Sequence, residues 1–234
     1  MIQACETAGV KLAVIFQNRF KKAVIDLKHA IEQGTLGRLI LGDVYVKWFR
    51  SQRYYDESPW RGTWAVEGGG AMINQAIHSI DLLQWMMGPV ESLYANMATD
   101  HQIEAEDLAV ANLKFRNGAL GVIEGSTALY PGAPERLEIH GDRGTVILEA
   151  GATRMWEIID GAQEDRPAIS EEPYGTGASD PMAFPIVCHQ AQFQDMVDAV
   201  LEGREPAVNG REGRKALEVV QAIYQSARTG EVVR

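Results

Sequence analysis

The segment from residue 89 to residue 158 constrains the fold most. It is a succession of short apolar runs at 89–98, 107–115, 119–127, 134–140, 144–149 and 153–158. Their length and alternation are those of half-buried strands. "RNG" at 116–118 and "GDRG" at 141–144 are tight-turn sequences between such runs, so neighbouring strands should pair as antiparallel hairpins. A further run at 38–49 places Ile40, Val44, Val46 and Trp48 on one face. A sheet this broad must cover its second face or leave it polar. Over 107–127 the even positions Leu108, Val110, Leu120 and Val122 and the odd positions Ala109, Ala111, Leu113 and Phe115 are both partly apolar. That points to a homodimer through the sheet; two faces covered within one chain is the competing arrangement.

Helical patterns frame this sheet. Residues 19–33 carry the stripe Phe20, Val24, Leu27 and Ile31 and stop at Gly34. Two helices close the chain, one marked by Phe193, Met196, Val197, Val200 and Leu201, the other by Ala216, Val219, Val220, Ile223, Tyr224 and Ala227. Residues 160–184 are polar, rich in Gly and Pro, and read as a long loop. The expected class is α/β (α+β): a large, mostly antiparallel sheet with helices on one face.

The first residues fit that plan poorly. Residues 2–8 read as the last turns of a helix closed by Gly9, and "KLAVIF" as a strand of a doubly covered parallel sheet. A parallel strand needs neighbours reached by crossovers. Residues 1–18 are therefore expected to be a remnant of a second α/β domain, and 19–234 the main unit. A small helix and strand that join the main sheet is the alternative.

Composition narrows the function classes. The 234 residues carry 22 Lys and Arg against 32 Asp and Glu, a net charge of −10. Nucleic acid and anionic membrane surfaces select the opposite sign. An anionic small substrate stays compatible, because a few local arginines override net charge. Two distant cysteines, Cys5 and Cys188, allow no disulfide framework and no paired-cysteine zinc motif. No run is apolar and long enough to span a membrane, and the opening residues lack a signal-peptide pattern. The cytoplasm is the expected compartment.

The chemistry concentrates in "EGGGAMINQAIHSIDLLQWMMG", residues 67–88. Its helix is apolar nearly all round, yet Asn74, His78 and Asp81 follow one another at i, i+4 and i+7 along one side. An acid/base histidine needs an orienting partner, and Asp81 is a candidate for that, or for capping a neighbouring loop. Gly68, Gly69 and Gly70 allow a ligand to approach the backbone closely, and the helix start offers free N–H groups near Asn74. The bland alternative is a core histidine bonded to backbone. A metal site on His78 and Asp81 lacks further ligands at a recognisable spacing. In the preceding loop, Tyr54, Tyr55, Trp60 and Trp64 surround Arg61, a set suited to stacking on a ring and gripping an anion, or to plain packing. His189 opens the penultimate helix, where a surface position is the simple reading. "GTGASD" at 175–180 imitates a dinucleotide fingerprint but lacks its third glycine, its strand and its helix.

With these residues in place, "WRGTWAVEGGGAMINQAIHSIDLLQWMMGPV", "RLEIHGDRGTVILEAG" and "LEGREPAVNGREGRKALEVVQAIYQSARTGEVV" resemble the C-terminal domain of the glucose–fructose oxidoreductase, inositol dehydrogenase and MocA family. The resemblance implies a hydride exchange between NAD or NADP and a sugar, polyol or related hydroxy compound. It implies that His78 is the acid/base group and that Asn74, where many members hold aspartate, hydrogen-bonds substrate or His78. It places Arg19, Trp60, Arg61, Asp81 and His189 at the substrate pocket, and Gln17 and Arg61 beside the cofactor. It also implies that the glycine-loop domain holding most of the cofactor is not among these residues. A non-enzymatic sugar-binding or assembly module derived from such an enzyme is the rival reading.

Overall fold

A computed structural model of the chain describes residues 1–161, Ala178 and residues 186–234. The loop read at 160–184, with "GTGASD", lies almost wholly outside the described residues. Seven strands form one sheet: β1 (Leu39–Lys47), β2 (Val90–Ala98), β3 (Leu108–Phe115), β4 (Leu120–Ser126), β5 (Arg136–Gly141), β6 (Gly144–Glu149) and β7 (Ala152–Ile158). Their spatial order is β2-β3-β4-β1-β5-β6-β7. Every neighbour pair is antiparallel except β1 and β4, which run parallel with Leu41 opposite Leu120 and Lys47 opposite Ser126. The two turn sequences join β3 to β4 and β5 to β6, as their composition requires.

The odd positions Ala109, Ala111, Leu113 and Phe115 are buried under helices, while Val110 and Leu120 on the even face are 41% and 57% exposed. Helices α2 (Lys22–Glu32), α4 (Ile77–Met87) and α6 (Gly210–Thr229) supply the covering layer, and a short helix α3 (Gln52–Asp56) lies between β1 and α4 in the chain. In α2, Val24 and Leu27 are fully buried, as its stripe demands. In α6, Ala216, Val220, Ile223 and Tyr224 do the same work, and Asn209 caps the helix by accepting from the amides of Arg211 and Glu212. Among the described residues the sheet is thus helix-covered on one side and carries no helix on the other.

Several local expectations need correction. The helix read from residue 19 begins only at Lys22; Gln17–Phe20 form a separate 3₁₀ turn, because Lys21 is extended (φ −71°, ψ 133°). "KLAVIF" does not join the seven-stranded sheet, so it is the alternative of a small helix and strand added to that sheet that fails. It makes one isolated bridge, Ala13 to Asn209, with no second strand edge beside it among the described residues. Helix α1 (Ile2–Ala8) does form, and Gly9 closes it with φ 66°. Helix α5 (Val187–Glu202) forms too, but its apolar stripe points outward, leaving Phe193, Val197, Val200 and Leu201 more than half exposed. The residues α5 buries are Cys188, Gln192 and Ala199, and Gln192 ties it to the Val14 carbonyl at 2.7 Å.

Candidate active site

The stretch after the three glycines does not start as a regular α-helix. Met72–Ala76 form a π turn, and α4 follows at Ile77. π turns inserted in helices often mark functional positions. Gly69 and Gly70 are explained by protein neighbours. A Cβ on Gly70 would collide with the Glu106 carbonyl oxygen, and one on Gly69 with the Tyr224 hydroxyl. The expected free N–H groups are also taken. Gly70 and Met72 donate to the Glu106 carboxylate at 2.9 and 2.8 Å, and Ala71 donates to its carbonyl at 3.0 Å. Gly69 and Gly70 therefore serve close packing of their own chain, which corrects the reading of them as a ligand approach, while Gly68 is required by its backbone, at φ 87°.

His78 and Asn74 nonetheless face one cleft. Its volume is about 360 Å³, and Ile15, Gln17, Trp48, Arg50, Tyr54, Gln75 and His189 complete the wall. The His78 ring meets Phe16 edge to face, at 5.7 Å between centroids. Its Nδ1 is shut off from solvent and has no hydrogen-bond partner among the described residues. Burial, then the nearby charges of Lys21 and His189, pull the imidazole down from 6.5 to about 4, so the ring is neutral at pH 7. A neutral imidazole in a half-buried wall can accept a proton from a hydroxyl in the cleft. Asn74 donates its side-chain N–H to Glu67, which fixes the amide and leaves its carbonyl oxygen for a ligand.

Asp81 does not orient His78. Both its oxygens take the Arg19 guanidinium, at 2.8 and 2.7 Å, and the carboxylate is fully buried. Arg19 also reaches Glu212 at 3.2 Å and lies over the Trp85 ring at 4.7 Å. The third member of the polar row and the first arginine thus form a strut behind the site and touch no part of the cleft wall. Arg61 lies one layer out, stacked at 4.0 Å on the Tyr54 ring and bonded to the Tyr54 carbonyl at 2.6 Å. Trp60 beside it is 42% exposed. Gln17 and His189 line the cleft with His78, and the buried Gln17 Oε1 lacks a partner among the described residues. Sequence reasoning missed Trp48, Arg50 and Gln75 as wall residues. Arg50 follows directly after an apolar strand, where a lone basic residue at a strand end gives little signal.

The chain thus joins a seven-stranded, mostly antiparallel sheet, helix-covered on one side, to a cleft walled by a histidine and an amide. The family model for the GFO/IDH/MocA C-terminal domain matches residues 24–147, and the chain belongs to that family. The chain is 37% identical to the WlbA dehydrogenase of Bordetella pertussis, solved in complex with NADH and UDP-GlcNAcA. That match has a TM-score of 0.86 and covers 99% of this chain and 66% of the other. The chain is 27% identical to myo-inositol 2-dehydrogenase of Thermotoga maritima over 97% of its own length and 65% of that protein. It is 28% identical to D-apiose dehydrogenase of Paraburkholderia graminis over 100% and 61%. It therefore spans about two thirds or less of the length of these relatives.

Proposed function

We propose that this chain is the substrate-binding and catalytic part of a nicotinamide-dependent oxidoreductase acting on a hydroxyl of a sugar, polyol or derivative. The observation that carries the reading is the meeting of His78 and Asn74 in one cleft with Gln17 and His189. Residues 19–234 would form the substrate and assembly domain, and residues 1–18 would belong to the edge of a dinucleotide-binding domain. NAD or NADP would supply the hydride acceptor. The residues present fit the nicotinamide end of that group, since the unpartnered Gln17 Oε1 beside His78 suits a carboxamide N–H. No strand–glycine turn–helix unit suited to a pyrophosphate occurs among the described residues.

In this scheme the sugar hydroxyl sits against His78, which takes its proton as the carbinol hydrogen leaves as hydride. Asn74 orients the hydroxyl through its carbonyl oxygen and transfers no proton. Trp48 and Tyr54 offer apolar ring faces to the sugar, and Arg50, His189 and Gln75 offer polar contacts. Arg61 and Trp60 stand further out, where a larger substituent would extend. The 37% identity to an NADH- and UDP-GlcNAcA-bound dehydrogenase makes a nucleotide-linked sugar acid the first substrate to test, with inositols and aldoses next. The even face of the sheet is the surface expected to pair two copies, and the two unbridged cysteines suit a reducing compartment such as the cytoplasm.

The test is hydride transfer to NAD⁺ or NADP⁺ by protein that joins this chain to a dinucleotide-binding domain. His78→Ala is expected to lower kcat by about 10²–10⁴-fold with a much smaller change in KM. Asn74→Ala costs less, because one orienting hydrogen bond is lost. Near-normal turnover by His78→Ala across pH would overturn the role of His78, whereas no turnover of any of these substrates by the joined protein would favour the non-enzymatic module.

A further inference from the structure

We infer that Glu106 and Tyr224 act as a positioning pair that sets the orientation of Asn74 toward the cleft. The inference rests on the reading of the Asn74–His78 cleft as the active site. It deepens that reading by naming residues that touch no ligand.

The argument follows the hydrogen bonds. Glu106 lies just before β3, is 1% exposed, and spends its whole main-chain and side-chain acceptor capacity on the start of the site helix. One carboxylate oxygen takes the Gly70 amide, the other takes the Met72 amide, and its backbone carbonyl takes the Ala71 amide. Three successive N–H groups that a helix start leaves free are thereby fixed to one residue. The oxygen bound to Met72 also accepts from the Tyr224 hydroxyl at 3.0 Å. Tyr224 comes from α6 and is 1% exposed, and the absence of a side chain on Gly69 gives its hydroxyl room.

This cluster lies directly upstream of Asn74. The Asn74 amide donates to the Gly70 carbonyl at 3.1 Å, and Gly70 is itself held by Glu106. The π turn Met72–Ala76 begins at the other amide that Glu106 holds. A π turn closes i→i+5 bonds where an α-helix closes i→i+4, so its register decides which way the side chains before it point relative to those after it. His78 lies after the turn and is placed by α4; Asn74 lies inside it, its side-chain amide held by Glu67 and its backbone, through Gly70, by the anchored start. The carboxylate is also well suited to the task energetically. A buried carboxylate requires donors for its lone pairs, and leaving one of them unmet is costly, so the geometry is stiff.

The experiment is nuclear magnetic resonance on the 234-residue chain, reading the backbone amide of Asn74, which donates to the Gly70 carbonyl. Tyr224→Phe removes the hydroxyl and keeps the packed ring. It is expected to raise the hydrogen-exchange rate of the Asn74 amide at least tenfold and to shift its resonance. Ser226→Ala is the control. Ser226, two residues along α6, accepts from the Ala95 amide at 3.0 Å and donates to the Glu231 carbonyl at 2.6 Å. Its loss should lower stability while leaving the Asn74 amide unchanged. Glu106→Gln is expected to act more strongly than Tyr224→Phe if it folds, since one face of its amide presents donors to donors. An Asn74 amide unaltered by Tyr224→Phe, or moved equally by Ser226→Ala, overturns the inference. This outcome is independent of turnover, so failure of the proposed activity and failure of the positioning pair are told apart.

Discussion

His78 carries a measurable mark of its surroundings. Its folded-state pKa of about 4 lies below the unfolded value of 6.5. The neutral ring is therefore the form the fold favours. Its contribution to stability is fully present above pH 6.5 and is lost as pH falls through about 4. The whole effect is on the order of 1–3 kcal/mol for this half-buried group. Titration of the His78 ring resonances should give a midpoint near 4, and His78→Asn should flatten the stability profile between pH 6.5 and 4. A midpoint near 6.5 would show that the ring is solvated and would remove the physical basis for its neutral state in the cleft. At this scale the i, i+4 spacing of Asn74 and His78 was readable, because both residues interrupt a stretch that is otherwise mostly apolar. The partner of Asp81 was not. Arg19 is 62 positions away, and nothing local distinguishes an aspartate aimed at a histidine one turn back from one aimed at a distant arginine. Glu106 and Tyr224 were hidden for the same reason: their meaning appears only when β3 and α6 converge on the three glycines.

Between elements, the Arg19 cluster is the firmest tie. It joins the 3₁₀ turn Gln17–Phe20 to α4 through Asp81 and to α6 through Glu212. The 3₁₀ turn carries Gln17 into the cleft, and α4 carries His78, so one buried guanidinium fixes both walls. Removing one member of a buried pair leaves the other charge uncompensated, at about 3–5 kcal/mol. Arg19→Met should therefore lower unfolding free energy by that order in urea titrations. Asp81→Asn, which keeps the shape and one acceptor, should cost less. A loss below about 1 kcal/mol for Arg19→Met would mean that water reaches Asp81 and that the strut is loose. Strand positions were largely legible, since two-residue alternation and turn sequences are local. The parallel pairing of β1 with β4 was not, because the site helix and strands β2 and β3 separate the two strands in sequence, and nothing local to either names the other as its neighbour. The π turn was equally silent: its residues Met72, Ile73, Asn74, Gln75 and Ala76 are ordinary helix formers, and the anchor that imposes the turn is remote in sequence.

At the scale of the whole molecule, two of the apolar surfaces exposed among the described residues differ in character. Along α5, Phe193, Val197, Val200 and Leu201 are apolar and their stripe borders the cleft-lining His189. The even face of the sheet is mixed. Val110 and Leu120 are exposed, Lys47 pairs with Glu124 at 2.7 Å, and Asp43 is 5% exposed opposite Glu138. Burial, together with the nearby Glu138 and Glu124 charges, pushes the Asp43 carboxyl up, while its bond from the Val122 amide pulls it down. A flat, rigid face with apolar patches between satisfied ion pairs suits pairing of two identical surfaces about a two-fold axis, in which each Leu120 and Val110 meets its symmetry mate or a neighbour. A narrow helix stripe covers too little area to hold a stable dimer alone. The chain should therefore sediment as a dimer, and Val110→Lys with Leu120→Lys should convert it to monomer without loss of helical signal, since both positions lie outside the helix-covered core. Retention of the dimer in that double variant would place the contact elsewhere, with Phe193→Lys and Val200→Lys on α5 as the next substitutions to try. Concentration-independent monomer in the unmodified chain would show that ion pairing on the even face is enough to keep it solvated.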